Sequence, residues 1–288
     1  MFIAGTEVDL NDVLSALAET RPIFHSEADF QLELAWHIRE RDSNLAVRLE
    51  SRPREWAARI AETGVKRPRL DIEVRSGEQR TALELKYLKR KNWSGEHGGE
   101  YFDLVSGVVD LSRYDVVKDI SRIEKYIEVT PSSNGAVVVL AGDPAFWREP
   151  EAGGSESADS AFRIHHGATM TGDLGWGPTA GPGTTRGRDR LQIAGSYSLQ
   201  WRGYSTEPIE HRALVVEVAP RERRAPCAVS VGGDASATSV ETTPQACPAP
   251  RAASDPSRAG RGASSAGTCR RRVARRAPPR AGAAGRAS

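Results

Sequence analysis

The sequence predicts an α/β fold in which helices flank a mixed central β-sheet, over residues 1–220 of 288. Segments with the 3.6-residue hydrophobic period of amphipathic helices occur among shorter segments in which apolar residues alternate or run together, as in strands. Elements in such an order pack as a sheet with helices on its faces. The composition changes abruptly near residue 220, and residues 221–288 are predicted to be a disordered tail.

Three segments have the hydrophobic period of a helix. In residues 8–19, one face carries Leu10, Val13, Leu14 and Leu17. A second helix is expected to begin at Ser26, whose hydroxyl can cap the helix together with Asp29. Residues 111–128 form the strongest amphipathic helix, with an apolar face of Tyr114, Val117, Ile120, Ile123 and Ile127.

Two strands joined by a tight turn are predicted at residues 69–75 and 80–88. Gly77 lies at the first central position of the turn, as a type II′ hairpin requires. With this turn Ser76 pairs with Gln79, and five steps further along the strands Asp71 faces Glu84.

The other predicted elements are shorter or less regular. They are a strand near 45–49, a helical turn near 56–60, a polar loop at 89–100, a buried strand at 136–140, a linker or loop at 149–160, and short strands near 162–164, 197–201 and 213–218.

The charge of the chain is divided unevenly between its two parts. Of 40 basic and 38 acidic residues, 13 arginines and 4 acidic residues lie in 221–288, which gives this tail a net charge of +9 and residues 1–220 a net charge of −7. The tail has no Leu, Ile, Phe, Tyr, Trp or Met, so it cannot bury enough apolar surface to fold. It is interpreted either as an Arg-rich arm for nucleic acid or as the product of a shifted reading frame in a GC-rich gene. The abruptness of the change favours the second interpretation.

Hallmarks of secreted and membrane proteins are absent from the sequence. The three cysteines all lie in the tail, so residues 1–220 have neither a disulfide framework nor a Cys-based zinc site. The N-terminal residues lack the basic start and apolar run of a signal peptide, and no stretch approaches the length of a transmembrane helix. We expect a soluble cytoplasmic protein without a membrane partner.

The predicted hairpin places charged side chains on one face and aliphatic side chains on the other. Two carboxylates that face each other, Asp71 and Glu84, destabilise a hairpin unless a cation such as Mg²⁺ neutralises them. Lys86 points to the same face as Glu84, where it can orient or deprotonate an attacking water or neutralise charge on a phosphate. An ordinary polar surface hairpin is the alternative. The matching register favours the metal site.

The motifs FHSEADFQ, RLDIEV and LELKY resemble those of the PD-(D/E)xK superfamily, which includes many restriction endonucleases and repair nucleases. The resemblance extends from Phe24 to about Leu140. It departs from the family pattern at Pro68, which stands three residues before Asp71, whereas the family is named for a proline directly before the aspartate.

The resemblance implies a restriction endonuclease-like core and a site for Mg²⁺, for which Mn²⁺ can substitute. It makes Asp71 and Glu84 ligands of the metal and Lys86 the catalytic lysine. Glu27 becomes the helix glutamate that supports the metal. The alternative for Glu27 is an acidic residue in the first turn that complements the helix dipole.

Basic residues next to an aromatic one suit a phosphate backbone and an unstacked base. Directly after the second strand stand Lys89, Arg90, Lys91 and Trp93. These residues are candidates for nucleic-acid binding, with an exposed basic loop as the alternative.

The helix at 111–128 supplies two further candidates for phosphate contacts, Lys118 and Arg122. The favoured interpretation is a solvated face, on which these cations pair with Asp115 and Asp119 at three- and four-residue spacing.

Two functions from different classes follow. The first is a Mg²⁺-dependent nuclease that cuts DNA in preference to RNA. Double-strand cutting would need two sites and therefore a homodimer. The second is a catalytically inactive nuclease-like module that binds nucleic acid or protein, which the net charge of −7 on residues 1–220 favours because DNA-binding surfaces are usually basic.

Overall fold

A computed structural model describes residues 1–105, 107–150 and 157–220. The predicted tail, with both of its interpretations, lies outside the described residues, and so do six residues of the linker predicted at 149–160. The mixed α/β fold predicted for residues 1–220 is confirmed over the described ranges.

Five α-helices occur in the described ranges: α1 (Leu10–Thr20), α2 (Glu27–Arg41), α3 (Arg54–Ala61), α4 (Val109–Val129) and α5 (Pro182–Thr185). The cap predicted for α2 is confirmed, because the Ser26 hydroxyl accepts a hydrogen bond of 3.1 Å from the Asp29 N–H. None of the helices in these ranges is both long and apolar enough to cross a membrane.

Ten strands accompany the helices: β1 (Ala46–Ser51), β2 (Leu70–Ser76), β3 (Gln79–Leu88), β4 (Trp93–His97), β5 (Glu100–Leu104), β6 (Ser133–Ala141), β7 (Thr169–Leu174), β8 (Leu191–Ser198), β9 (Trp201–Ser205) and β10 (His211–Val218). Six of them form one sheet in the order β1-β2-β3-β6-β10-β9, in which only the β3–β6 pair is parallel. The pairs β4–β5 and β7–β8 are separate antiparallel hairpins.

The β2–β3 hairpin has the predicted register. Its pairs run from Ser76–Gln79 at the turn to Ile72–Leu83, and Gly77 has the positive φ of 55° that the first position of a type II′ turn demands. The ladder ends at Ile72–Leu83, however, so the predicted direct pairing of Asp71 with Glu84 does not form.

Both faces of the central sheet are covered. On one face α1 and α2 pack on apolar strand residues that include Ile72, Leu83 and Val138. On the other face α4, the crossover helix between the parallel strands β3 and β6, packs on Ala82 and Val137. The charged face of the hairpin lies on this second side. The expectation of one face for chemistry and one for core is therefore corrected, because α4 covers the charged face as well.

Three of the shorter predicted elements differ from the structure. The strand predicted near 197–201 falls on the end of β8, the connection at residues 199–200 and the start of β9. The predicted loop at 89–100 contains β4 and the start of β5, because Gly98 and Gly99, with φ of 60° and 83°, allow a tight turn between two strands. The strand predicted near residue 162 is a 3₁₀ turn at Ser160–Phe162, whose Phe162 ring packs against Tyr114 and Trp176.

Candidate functional site

The strands β2 and β3 separate beyond the Ile72–Leu83 pair, and two carboxylates take the backbone donors of β3 that this exposes. The Leu85 N–H donates to Asp71 Oδ2 at 2.7 Å, and the Tyr87 N–H donates to Glu27 Oε2 at 3.0 Å. Unpaired backbone donors would be costly here, because this part of the sheet is largely buried. Two of the four predicted catalytic residues therefore meet the edge of β3 from different elements.

Helix α2 brings a second polar side chain to the same gap. Gln31 lies one turn after Glu27, and its Nε2 donates to the backbone carbonyl of Asp71 at 2.6 Å. The sequence favours no site role for Gln31. In the structure Gln31 fixes the main chain that carries Asp71. The Ser26 cap holds the start of the helix from which Glu27 projects.

Lys86 lies among the carboxylates. Its Nζ atom is 2.8 Å from Asp119 Oδ2 and 3.7 Å from Glu27 Oε1, and it donates to the Leu85 carbonyl at 2.8 Å. Burial alone would lower the pKa of Lys86, but the Asp119 and Glu27 carboxylates outweigh burial and raise it. Lys86 is thus a positive charge held between two carboxylates.

Glu84 is completely buried and poorly satisfied. Arg122 Nη2 lies 3.0 Å from Glu84 Oε1, at an ion-pair distance without the angles of a hydrogen bond. Neither oxygen of Glu84 accepts a hydrogen bond from the residues that the structure describes. Burial, followed by the nearby Asp119 carboxylate, raises the pKa of Glu84 well above its ordinary value. A carboxylate in this environment is stabilised by a proton or by a cation.

Asp71 lies at the entrance to this buried region. Burial raises its pKa to about 6, although the hydrogen bond from the Leu85 N–H and the charge of Lys86 both act to lower it. The carboxylates of Asp119 and Glu27 add to the rise. The predicted site residues therefore interact electrostatically as one cluster.

A polar stripe on α4 completes the cluster and was not predicted as part of it. Asp119, Arg122 and Tyr126 follow one another at three- and four-residue spacing, so they share one side of the helix. Arg122 Nη1 lies 3.0 Å from Asp119 Oδ1, and the Asp119 side chain is only 4% exposed. The prediction of a solvated face is therefore wrong for Asp119. The spacing in the sequence was the available signal, but it does not show that the stripe faces the sheet.

The predicted nucleic-acid residues are distributed differently. Arg90 and Lys91 are exposed beyond the end of β3, whereas Lys89 and Lys118 are half-buried. Trp93 is half-buried and packs on a small apolar cluster formed by Ile23, Phe102, Leu104 and Ile209.

Arg122 does not present a free guanidinium. It is occupied by Glu84, by Asp119 and by the backbone carbonyl of Arg69, and it stacks on Trp56 with its Cζ 5.3 Å from the ring centroid. Of the six residues predicted to contact nucleic acid, Arg122 is thus the one held within the carboxylate cluster.

The oxygen atoms of the cluster suit a hard divalent cation, since they are carboxylate oxygens and the two oxygens of Glu84 accept no hydrogen bond from the described residues. In the described part of the chain, no group of three or more His, Cys, Asp or Glu side chains is arranged to hold a metal ion. The cations Lys86 and Arg122 pair with the carboxylates of the cluster.

Comparison with protein-family models, with curated proteins and with solved structures finds no match to this chain. The function proposed below therefore rests on the geometry and chemistry of the carboxylate cluster.

Proposed function

We propose that the chain is a Mg²⁺-dependent nuclease that hydrolyses phosphodiester bonds, with DNA as the favoured substrate. The observation that carries the proposal is the convergence of Glu27 from α2, Asp71 from β2, and Glu84 and Lys86 from β3 on the gap between β2 and β3. These are the residues and the order on which the resemblance to PD-(D/E)xK nucleases depends, and α2 is distant in sequence from the hairpin of β2 and β3.

The roles of the acidic residues follow from their environments. Asp71 and Glu84 would hold the cation, and Glu27, whose side chain is 44% exposed, would support it from the rim. Burial is the largest cause of the raised pKa values of Asp71 and Glu84, so a cation bound beside these carboxylates would stabilise their charged forms. A bound divalent cation would supply Lewis-acid stabilisation of the charge that develops on the phosphate.

Lys86 is suited to orient the attacking water and to neutralise the phosphate. Its charge is held by Asp119 and Glu27, which makes removal of a proton from Lys86 unfavourable and argues against its use as a base. Asp119 is then a positioning residue for Lys86. Arg122 neutralises Glu84 until a cation or substrate replaces that contact.

The test is nicking of supercoiled plasmid by the purified chain in Mg²⁺ or Mn²⁺, with a chelator as the blank. The isosteric variants Asp71→Asn and Glu84→Gln, together with Lys86→Gln, should each lose about 100-fold or more of the nicking rate. Glu78→Gln is the matched control, because Glu78 is exposed at the tip of the same hairpin and should leave the rate unchanged. Equal nicking by all four variants would refute the assignment of the site.

The second candidate function is a catalytically inactive nuclease-like module that binds nucleic acid or protein. It is favoured by the ion pairs that already neutralise the carboxylates and by the net charge of −7 on residues 1–220. Plasmid that is bound but never nicked, in either metal ion, would favour this function over the first.

A further inference from the structure

A large cavity lies beside α4 and is lined in part by Arg122. It has a volume of about 1160 Å³ and is bounded by α3, by α4 and by the segment that leads into β8. Arg122 belongs to both places, because it lines the cavity and also pairs with Glu84. The cavity is therefore adjacent to the carboxylate cluster.

The cavity wall combines apolar surface with cations. Its apolar lining comes from Ile60, Val65, Tyr114, Ile127 and Leu191. Cationic side chains outnumber acidic ones in the lining by five to three; the cations are Arg59, Lys118, Arg122, Lys125 and Arg190, and the acids are Glu124, Glu128 and Asp189.

The cations of the lining differ in whether a carboxylate pairs with them. In the described ranges neither Lys118 nor Lys125 forms an ion pair, whereas Arg190 pairs with Asp173 at 2.9 Å and Arg59 pairs with Glu128 at 3.5 Å. The two oxygens of Glu124 accept hydrogen bonds from the backbone N–H groups of residues 194 and 195 and from the Tyr197 hydroxyl. Burial, followed by the charge of Arg59, lowers the pKa of Lys125, although the carboxylates of Glu124, Glu128 and Glu62 act to raise it.

Apolar walls with two ammonium groups that form no ion pair with a described residue match a ligand that carries phosphates on an apolar or aromatic body. We infer that the cavity binds one arm of a nucleic-acid strand, with Lys118 and Lys125 contacting successive phosphates and the apolar wall receiving a base. The inference rests on the proposed nuclease function, because it assigns to that site the path of its substrate. Arg122 would lie between the bound nucleic-acid strand and Glu84.

The experiment measures binding of a short fluorescent single-stranded DNA by anisotropy, in a chelator so that no cleavage occurs. The double variant Lys118→Gln with Lys125→Gln should bind roughly tenfold more weakly, and the slope of log K against log salt concentration should shrink by about 1.4, as expected for two lost phosphate contacts on a single strand. Arg41→Gln with Arg148→Gln removes the same charge from two exposed residues outside the cavity and should leave both values close to those of the wild type.

Equal losses of DNA affinity in the two double variants would overturn the inference, because the loss would then come from the change in net charge. A thymidine monophosphate competitor that binds as tightly as the oligonucleotide would also overturn it, since the ligand would then be a free nucleotide and not a strand. Binding that depends on Lys118 and Lys125 in a chain that never nicks DNA would uphold the inference and reject the nuclease function. Nicking that is unaffected by the lysine variants would uphold the nuclease function and reject the inference.

Discussion

Glu73 and Glu84 point to the same side of the β2–β3 hairpin and are both completely buried, yet of the two only Glu73 accepts hydrogen bonds from the part of the chain that the structure describes. Glu73 accepts from Arg75 at 2.6 Å, from Tyr126 at 3.0 Å and from Arg80 at 3.4 Å. Burial acts to raise the pKa of Glu73, but these partners outweigh burial and lower it, whereas the pKa of Glu84 is raised. The two glutamates thus form a matched pair, in which hydrogen bonds stabilise the charge of Glu73 but not that of Glu84.

The first prediction compares the stabilities of Glu73→Gln and Glu84→Gln. Glu73→Gln should lower the free energy of unfolding by about 2 kcal/mol, because it weakens charge-assisted hydrogen bonds that no solvent replaces. Glu84→Gln should leave it unchanged or raise it, since a poorly satisfied buried charge is removed. Urea denaturation at neutral pH gives both values. A loss in Glu84→Gln as large as that in Glu73→Gln would mean that Arg122 satisfies Glu84.

The second prediction concerns divalent cations. Mg²⁺, Mn²⁺ or Ca²⁺ should raise the melting temperature of the wild-type chain by mass action, and Asp71→Asn or Glu84→Gln should abolish the rise. Glu78→Gln should retain it. Because the cation requires a deprotonated Asp71, whose pKa is raised to about 6, the response should weaken as the pH falls below that value. Calorimetric melting scans at several pH values measure this, and a wild-type chain that ignores divalent cations would remove the metal from the mechanism.

The third prediction concerns the ion pair between Lys86 and Asp119. Lys86→Gln should cost about 2 kcal/mol of stability, because it leaves the buried Asp119 carboxylate with Arg122 as its remaining cation. Adding Asp119→Asn should recover part of that loss without restoring nicking. The exposed pair Arg59–Glu62, at 2.6 Å, is the control and should show no measurable coupling in the same double-mutant cycle. Additive losses for Lys86 and Asp119 would contradict the positioning role of Asp119.

The fourth prediction is a pH effect at His211, which is completely buried with its Nε2 3.2 Å from the Tyr87 hydroxyl. Burial lowers its pKa to about 4, against an ordinary value of 6.5. The unfolded chain therefore binds a proton more readily between these values, and stability that is present above pH 6.5 is lost as the pH falls through 4.

The loss of unfolding free energy that is due to His211 should be on the order of 3 kcal/mol and should vanish in His211→Gln. Denaturation curves of both chains between neutral pH and pH 4 measure it as a difference. His97→Gln serves as the control, because His97 forms no ion pair within the described residues. A constant difference between wild type and His211→Gln would show that His211 is not held neutral.

Local rules predicted the hairpin that carries the candidate site. The turn at Gly77 sets the register by itself, so the Ile72–Leu83 pairing could be derived without any knowledge of the rest of the fold. The Ser26 cap was equally local, since it depends on a side chain and an N–H three residues apart. These two predictions, each of which depends on a few neighbouring residues, are confirmed.

The surroundings of the hairpin could not be predicted in the same way. The spacing of Asp119 and Arg122 identifies a stripe, but α4 is largely buried and only the packing of the crossover decides which stripe meets the sheet. The separation of β2 from β3 also depends on tertiary contacts, because Gln31 on a distant helix holds the Asp71 carbonyl. Neither burial of Glu84 nor the role of Asp119 follows from residues close to them in sequence.

The gap between β2 and β3 also makes two amide protons into reporters. The Leu85 and Tyr87 N–H groups end on the carboxylates of Asp71 and Glu27, so their NMR chemical shifts and hydrogen-exchange rates depend on the charge state of those side chains. Thr81 and Leu83, which precede Leu85 on the same edge of β3, pair with β2, and their N–H groups provide an internal reference. Loading of the cluster by a proton, a cation or a phosphate can therefore be followed at two backbone positions, without an activity assay and without a label in the site.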